Sequence, residues 1–273
     1  MNVVSYFDGM SCGQIALDKL GIKVDNYFAY EIDKYAIEIA KKNYPKTKHK
    51  GSVLDVDFDS LPEIDLLIGG SPCQGFSTAG KELNFEDPRS KLFFEFVKAK
   101  DKLKPKYWML ENVGMKKEFR DIISEYLGCE PIHINSAKLT AQNRPRFYWT
   151  NIPNVEQPKD KGITAEKVLG IKNVKVGQPQ PFPRNYKKLG LKRVERMEFR
   201  TDGKSNAIIT SNTKNQIETG NGYRKLTPNE SEQLQTVPLN YTEGVSNTQR
   251  QRMLGNGWTV DVIAHIFIKI PLM

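Results

Sequence analysis

The 273-residue chain has only three cysteines (Cys12, Cys73, Cys129) and three histidines (His49, His133, His265), all far apart. No pair has the spacing of a zinc site or a disulfide framework, so a metal-free protein of a reducing compartment is expected. The N-terminus has no basic region followed by an apolar stretch, and no apolar run approaches the roughly 20 residues that span a bilayer. A soluble cytoplasmic protein is the expectation. Internal repeats are missing, as are the dinucleotide fingerprint G-x-G-x-x-G and a Walker loop with Gly-Lys-Ser/Thr.

What the chain has in excess is positive charge, and it is localised. Between Val155 and Lys225 stand sixteen Lys and Arg against seven Asp and Glu, so this segment carries the whole net charge of +9. A solvated lysine face would look similar, but clustering in one quarter of a chain suits a phosphate-binding surface that gains from counterion release. The segment also differs in texture. Gln178-Pro-Gln-Pro-Phe-Pro183, the basic run Arg184-Asn-Tyr-Lys187-Lys188 and a polar stretch from Ser205 to Gly222 exclude long helices.

Residues 1–151 instead alternate short apolar strands with amphipathic stretches. The pattern predicts a strand over Asn2 to Phe7, a helix over Gln14 to Leu20, a strand over Tyr27 to Glu31, and a helix over Asp33 to Asn43 with Asp33 as N-cap. Ile64 to Ile68, Ser90 to Leu103 and Tyr107 to Val113 repeat strand, helix, strand. Thr259 to Ile270 reads as a helix returning to the same sheet. This order predicts an α/β fold with a doubly wound, Rossmann-like sheet.

In such sheets a ligand sits beyond the carboxyl ends of the strands. The first strand-to-helix turn, Phe7-Asp8-Gly9-Met10-Ser11-Cys12-Gly13, leaves room for a cofactor, and Glu31 follows 22 residues after Gly9. A carboxylate there can accept both hydroxyls of a ribose; a tight turn with a surface glutamate is the alternative. Without a pyrophosphate motif, S-adenosylmethionine is the adenosine-bearing candidate.

Ser71-Pro-Cys-Gln-Gly-Phe-Ser77 follows an apolar run and holds Cys73 in a tight, glycine-containing loop. A packed structural cysteine is the commoner use of this residue. A presented thiol is the other, and it has company: Glu111-Asn112-Val113 at a strand end and Gln142-x-Arg144-x-Arg146 beyond it. Phe7-x-Gly9, Glu31, Pro72-Cys73-Gln74, these two motifs, Arg224-Lys-Leu-Thr-Pro228 and Gly255-Asn256 occur in an order that resembles the DNA cytosine-5 methyltransferase family along nearly the whole chain. Several runs, including Phe7-Asp8-Gly9 and Gly255-Asn-Gly-Trp-Thr-Val260, are similar to the eukaryotic de novo branch, while the compact length is similar to bacterial and phage members.

The resemblance implies methyl transfer from S-adenosylmethionine, without a metal, to C5 of a cytosine flipped out of double-stranded DNA. Cys73 is then the nucleophile that adds to C6, Glu111 bonds ring N3 and the exocyclic amine, and Arg144 and Arg146, two apart, point to one side and reach phosphate and base O2. Cofactor-binding residues are expected at Phe7, Asp8, Gly9, Ser11, Gly13, Glu31, Ile32, Ser52, Val53, Gly70, Pro72, Asn256, Gly257 and Trp258. DNA contacts are expected at Gln74, Ser77, Gln142, Arg184, Lys187, Lys188, Arg193 and Arg224, and the loop from Gly75 to Arg89 is expected to close over the flipped base. A catalytic domain of residues 1–154 and 251–273 is expected to enclose a target-recognition domain of residues 155–250, its return segment at 224–250.

Departures from the family pattern are Ser52 in place of the Asp that bonds adenine, a contact Asp55 could inherit, and Gly257 in place of a serine, with Trp258 able to pack on the cofactor. Two other readings stand beside this one. The tRNA-methylating branch usually carries Cys-Phe-Thr in the variable region, and this chain has none. A catalytically silent homologue sits badly with intact Cys73, Glu111, Arg144 and Arg146. A cognate restriction endonuclease is a possible partner, in a bacterial or phage-infected cell; recognition site and oligomeric state are not written in the sequence.

Overall fold

The structure is a computed structural model that describes residues 1–71, 88–210 and 215–271, with the backbone alone at 88–90. In chain order the first elements are β1 (Asn2–Tyr6), α1 (Cys12–Lys19), β2 (Asn26–Tyr30), α2 (Lys34–Asn43), β3 (Lys48–Gly51), β4 (Leu66–Gly70), α3 (Pro88–Leu103), β5 (Tyr107–Asn112), α4 (Lys117–Leu127) and β6 (Ile132–Asn135). There follow β7 (Gln142–Asn143), β8 (Pro145–Thr150), α5 (Ala165–Leu169), β9 (Val176–Phe182), β10 (Val194–Phe199), β11 (Ser205–Asn206), β12 (Gln216–Thr219), β13 (Gly222–Lys225), α6 (Pro228–Leu234), α7 (Asn247–Asn256) and α8 (Val260–Phe267).

The chain divides into two compact units. The first comprises Met1–Asn135, Pro145–Pro158 and Trp258–Met273, the second Ser136–Arg144 and Lys159–Gly257. The first unit is a seven-stranded sheet of order β3-β2-β1-β4-β5-β8-β6. Its first five strands are parallel, while β8 runs antiparallel to both neighbours. The strand order reverses between β1 and β4, a switch point whose crevice opens at the carboxyl ends.

Strands covered on both faces are mostly apolar, and β1, β2, β4 and β5 are, with polar residues at strand ends and Ser5 inside β1. Val4, Tyr6, Phe28, Leu67, Trp108 and Leu110 form one core face with Phe93 and Phe96 of α3 and Ile123 and Leu127 of α4. Ile68 and Tyr27 point the other way, against Gly13 of α1. The sheet is therefore doubly wound, as the strand and helix order predicts. Asp33 caps α2, its Oδ1 accepting from the N–H groups of Tyr35 and Ala36.

The second unit holds an antiparallel sheet of order β10-β9-β12-β13 and a parallel pair, β11 with β7. Its longest helix is α7, and among the described residues of 159–225 the short α5 is the only α-helix. Pro179 and Pro181 sit in β9 beyond the two residues, Val176 and Gly177, that pair with β12. There β9 is an edge, where a missing N–H costs no ladder bond.

The division differs from the one expected in three places, the smallest being residues 155–158, which stay with the first unit. Segment 136–144 joins the second unit because β7 leaves the large sheet to pair with β11. Segment 251–257 stays there because α7 continues to Asn256 and packs on α6.

Candidate active site

The turn after β1 is bent by three left-handed residues, Phe7 (φ 56°), Gly9 (φ 58°) and Ser11 (φ 63°). Glycine adopts this region freely, but Phe7 and Ser11 each hold strain on the order of 1 kcal/mol or more, which persists only where the surroundings fix it. The surroundings are visible. Asp8 N–H donates to the Tyr30 carbonyl at 3.2 Å and Gly9 N–H to Glu31 Oε2 at 2.8 Å. Glu31 Oε1 also accepts from Ile32 and Asp33 N–H at 2.7 and 2.8 Å. Glu31 thus ties the β1 turn to the end of β2 and spends three acceptor sites; a carboxylate has about four. Next to it, Ile32 presents an apolar side chain that is 78% exposed.

Asp8 is buried below this turn, accepting from Tyr27 Oη at 2.7 Å and from Ser11 Oγ. Burial pushes its carboxyl up from 3.8 to about 6, the bonds from Ser11 and Tyr27 oppose the rise, and the charge of Glu31 adds to it. The folded chain therefore holds this proton more tightly than the unfolded chain. The resulting stability is full below pH 3.8, declines as pH rises, and is lost once pH has passed about 6. Over that window the loss is about 3 kcal/mol. Asp8→Asn is expected to remove this part of the pH dependence and to be more stable than the parent at about pH 7.5 by up to about 3 kcal/mol, with little difference near about pH 4. Urea denaturation at both pH values checks it; an equal difference at both would show that ionisation of Asp8 is not the source.

Across the switch point, Gly70 at the end of β4 pairs in register with Glu111 of β5, and Glu111 pairs with Tyr148 of β8. Arg146 lies two residues before Tyr148, on the same face of β8 and diagonal to Glu111. Its Nε stands 3.0 Å from Glu111 Oε1, but the N–H is not aimed at that oxygen, so the contact is an ion pair without a hydrogen bond. The other oxygen, Oε2, accepts from Trp258 Nε1 at 3.0 Å. Glu111 is only 8% exposed. Gly70 makes room for this bond: a Cβ there would lie 2.9 Å from Trp258 Nε1 and 3.1 Å from Glu111 Oε2. One residue further on, Asn112 Nδ2 donates to Ser71 Oγ at 3.2 Å. The end of β5 thereby clamps the point from which the Pro72-Cys73 segment departs.

Pro72, Cys73, Gln74, Ser77 and the loop from Gly75 to Asp87 lie outside the described residues, and α3 takes up the chain at Pro88. Of the remaining candidates, Phe7, Asp8, Gly9, Ser11, Glu31, Ile32, Gly70, Glu111, Arg146 and Trp258 fall in the first unit at the carboxyl ends of its strands or in their turns, and Gly13 in α1. Ser52 Oγ accepts from Leu54 N–H at 3.1 Å, while the Val53 side chain is in the core, leaving only its backbone for a ligand. Asn256 and Gly257 belong to the second unit.

Arg144 and Gln142 differ from the sequence reading. Arg144 is 3% exposed and belongs to the second unit, where Nη1 donates to the Ile208 carbonyl at 2.6 Å and Nη2 to those of Gly255 and Gly257 at 3.0 and 2.9 Å. Its fork holds the backbone of the second unit together instead of being free for phosphate or base. Gln142 is fully buried and bonds Leu234, Gln235 and Ile208, an internal role where a DNA contact was expected.

Among the charged candidates of the second unit, Arg184 pairs with Glu198, Arg193 with Glu195 at 2.5 Å, and Arg224 bidentately with Glu230 at 2.7 and 2.8 Å. Exposed pairs of this kind are worth about 0–1 kcal/mol, so they hold the guanidinium groups without committing them. Lys187 and Lys188 are exposed. Tyr27, Ser71 and the Trp258 bond to Glu111 were not foreseen. Only Tyr27 left a trace, a hydroxyl on a strand that is otherwise buried. Among the described residues no helix is long and apolar enough to cross a membrane, and no group of three or more His, Cys, Asp or Glu could hold a metal ion.

The family model "C-5 cytosine-specific DNA methylase" matches residues 1–178 and, overlapping them, 150–271. The type II methyltransferase M1.ScrFI of Lactococcus lactis subsp. cremoris is 31% identical over 293 aligned positions, covering 91% of this chain and 72% of that protein. The orphan methyltransferase M.SPRI of Bacillus phage SPR is 41% identical over 115 residues, 41% of this chain but 26% of that protein. Among solved structures, the Entamoeba histolytica methyltransferase EhMeth superposes with a TM-score of 0.71 at 18% identity, over 98% of this chain and 97% of that one.

Proposed function

Because the chain belongs to the C-5 cytosine-specific DNA methylase family, we propose that it transfers a methyl group from S-adenosylmethionine to C5 of a flipped cytosine in double-stranded DNA. The observation that carries this is the end of β5. Glu111 is held there with one oxygen bonded by Trp258 and the other faced by Arg146, beside the clamp at which the Cys73 segment begins.

Cytosine C5 is too weak a nucleophile to take a methyl group directly. The Cys73 thiolate adds to C6, forming the S–C6 bond while the C5–C6 π pair shifts toward C5 and the ring, and Glu111 supplies hydrogen bonds to ring N3 and the exocyclic amine. Arg146 offsets negative charge on the ring. Loss of the C5 proton and expulsion of Cys73 restore the aromatic ring.

The first unit has a place for the methyl donor. Gly9 is bent into open space, Glu31 retains acceptor capacity for a ribose, and the exposed Ile32 offers an apolar face to adenine. Phe7, Ser52, Val53 through its backbone, and Trp258 complete the residues that would hold it. When bound, S-adenosylmethionine supplies an electrophilic methyl group.

The second unit, with its surplus of Lys and Arg, is the DNA-reading part. Lys187 and Lys188 take phosphate, and Arg184, Arg193 and Arg224 exchange weak internal pairs for DNA. A cognate endonuclease and a bacterial or phage-infected cytoplasm belong to the same reading; the Lactococcus lactis relative carries a type II name, the Bacillus phage one an orphan name.

Incubation with tritiated S-adenosylmethionine and separate DNA and tRNA pools tests the proposal. Label on DNA, mapped to C5 by bisulfite sequencing, is the expected result. Label on tRNA alone would transfer the chemistry to the other substrate, and label on neither, with folded protein, would remove it.

A further inference from the structure

We propose that Trp258 is a positioning residue for the catalytic carboxyl, fixing which oxygen of Glu111 faces the base; this rests on the reading of Glu111 given above. A tryptophan at the start of α8 would ordinarily be a core residue, and at 8% exposure it is nearly buried. Its ring, however, stands over the end of β4, and its one polar group is directed at Glu111 Oε2 at 3.0 Å. The sheet is cut away for it at Gly70, where even a methyl group would intrude on both partners of the bond.

The two oxygens of Glu111 are thus unlike. Oε2 is anchored by a neutral N–H donor. Oε1 has the Arg146 guanidinium 3.0 Å away with no hydrogen bond holding it. Oε1 is therefore the oxygen left to face ring N3, while the second lone pair of Oε2 accepts from the exocyclic amine. As the thiolate adds to C6, N3 takes up a proton from water and Oε1 accepts the resulting N3–H bond. As Cys73 is expelled, N3 gives that proton back to water.

Trp258→Phe keeps an aromatic ring but removes the donor and makes the side chain smaller. A bond to an ionisable partner of this kind corresponds to about a 10- to 100-fold fall in single-turnover methyl transfer. The affinity for S-adenosylmethionine is expected to fall by much less than the transfer rate, and the protein is expected to stay folded. In a Glu111→Gln background the same change is expected to cost nothing further, because the carboxylate it positions is already gone. Gly70→Ala, which breaks the bond while keeping the indole, is expected to show the same fall and covers the case in which Trp258→Phe does not fold. Transfer within about twofold of the parent in both variants overturns the proposal. So does an undiminished loss in the Glu111→Gln background, or a loss matched by weaker cofactor binding. A fully active Glu111→Gln protein would instead remove the carboxyl assignment itself, so the two failures are told apart.

Discussion

Cys73→Ser is expected to bind S-adenosylmethionine as the parent does and to methylate no DNA, the rate falling on the order of 10³-fold or more. The substitution is one atom, but the chemistry needs an anion. A free thiol ionises near about 8.5 and is brought lower by neighbouring cations, whereas a serine hydroxyl stays protonated at neutral pH. A neutral oxygen adds poorly to C6, and without that adduct C5 gains no electron density. The clamp from Asn112 to Ser71 is untouched, so the segment still leaves β4 at the same point. Two measurements separate the steps: equilibrium binding of the cofactor, and covalent capture on DNA carrying 5-fluorocytosine, which the parent should give and the variant should not. A variant that still methylates would take the nucleophile away from Cys73.

The second large effect falls on stability. Arg144→Ala is expected to lower the free energy of unfolding by about 3–5 kcal/mol, since it removes a buried cation and leaves the carbonyls of Ile208, Gly255 and Gly257 with fewer donors. Against a typical total of about 5–15 kcal/mol this is about a fifth of the margin or more. Gly255 sharpens the point, because a Cβ there would lie 2.3 Å from backbone atoms of Ile209 and Thr210, so the joint has no slack. Urea denaturation followed by fluorescence checks it. A change below about 1 kcal/mol with a large loss of activity would return Arg144 to the substrate, where the sequence alone had put it.

The contrast between Arg144 and Arg146 shows what a sequence displays and what it hides. Parallel strands buried on both faces write themselves as apolar runs, so β1, β2, β4 and β5 were legible, and so was the Asp33 cap. The turn at Phe7 to Ser11 and the carboxylate at Glu31 were legible for a related reason: local chemistry marks a strand end. A buried polar side chain carries no such mark. Gln142 and Arg144 look like surface residues until Leu234, Ile208 and Gly255 are brought to them, and those partners come from distant segments. Likewise Arg184 faces a carboxylate, Glu198, that only the antiparallel pairing of β9 with β10 supplies, and Arg224 faces Glu230 of the adjacent helix α6.

The bond between Trp258 and Glu111 joins residues 147 positions apart. At about 5–20 residues per second, a ribosome needs on the order of ten seconds to travel from one to the other. Through that interval the nascent chain already contains the cysteine, the carboxylate and the cofactor turn, yet the carboxylate has no anchor. Methylating competence should accordingly appear late, only after α8 has emerged, which keeps a half-made chain from acting on whatever DNA lies near it.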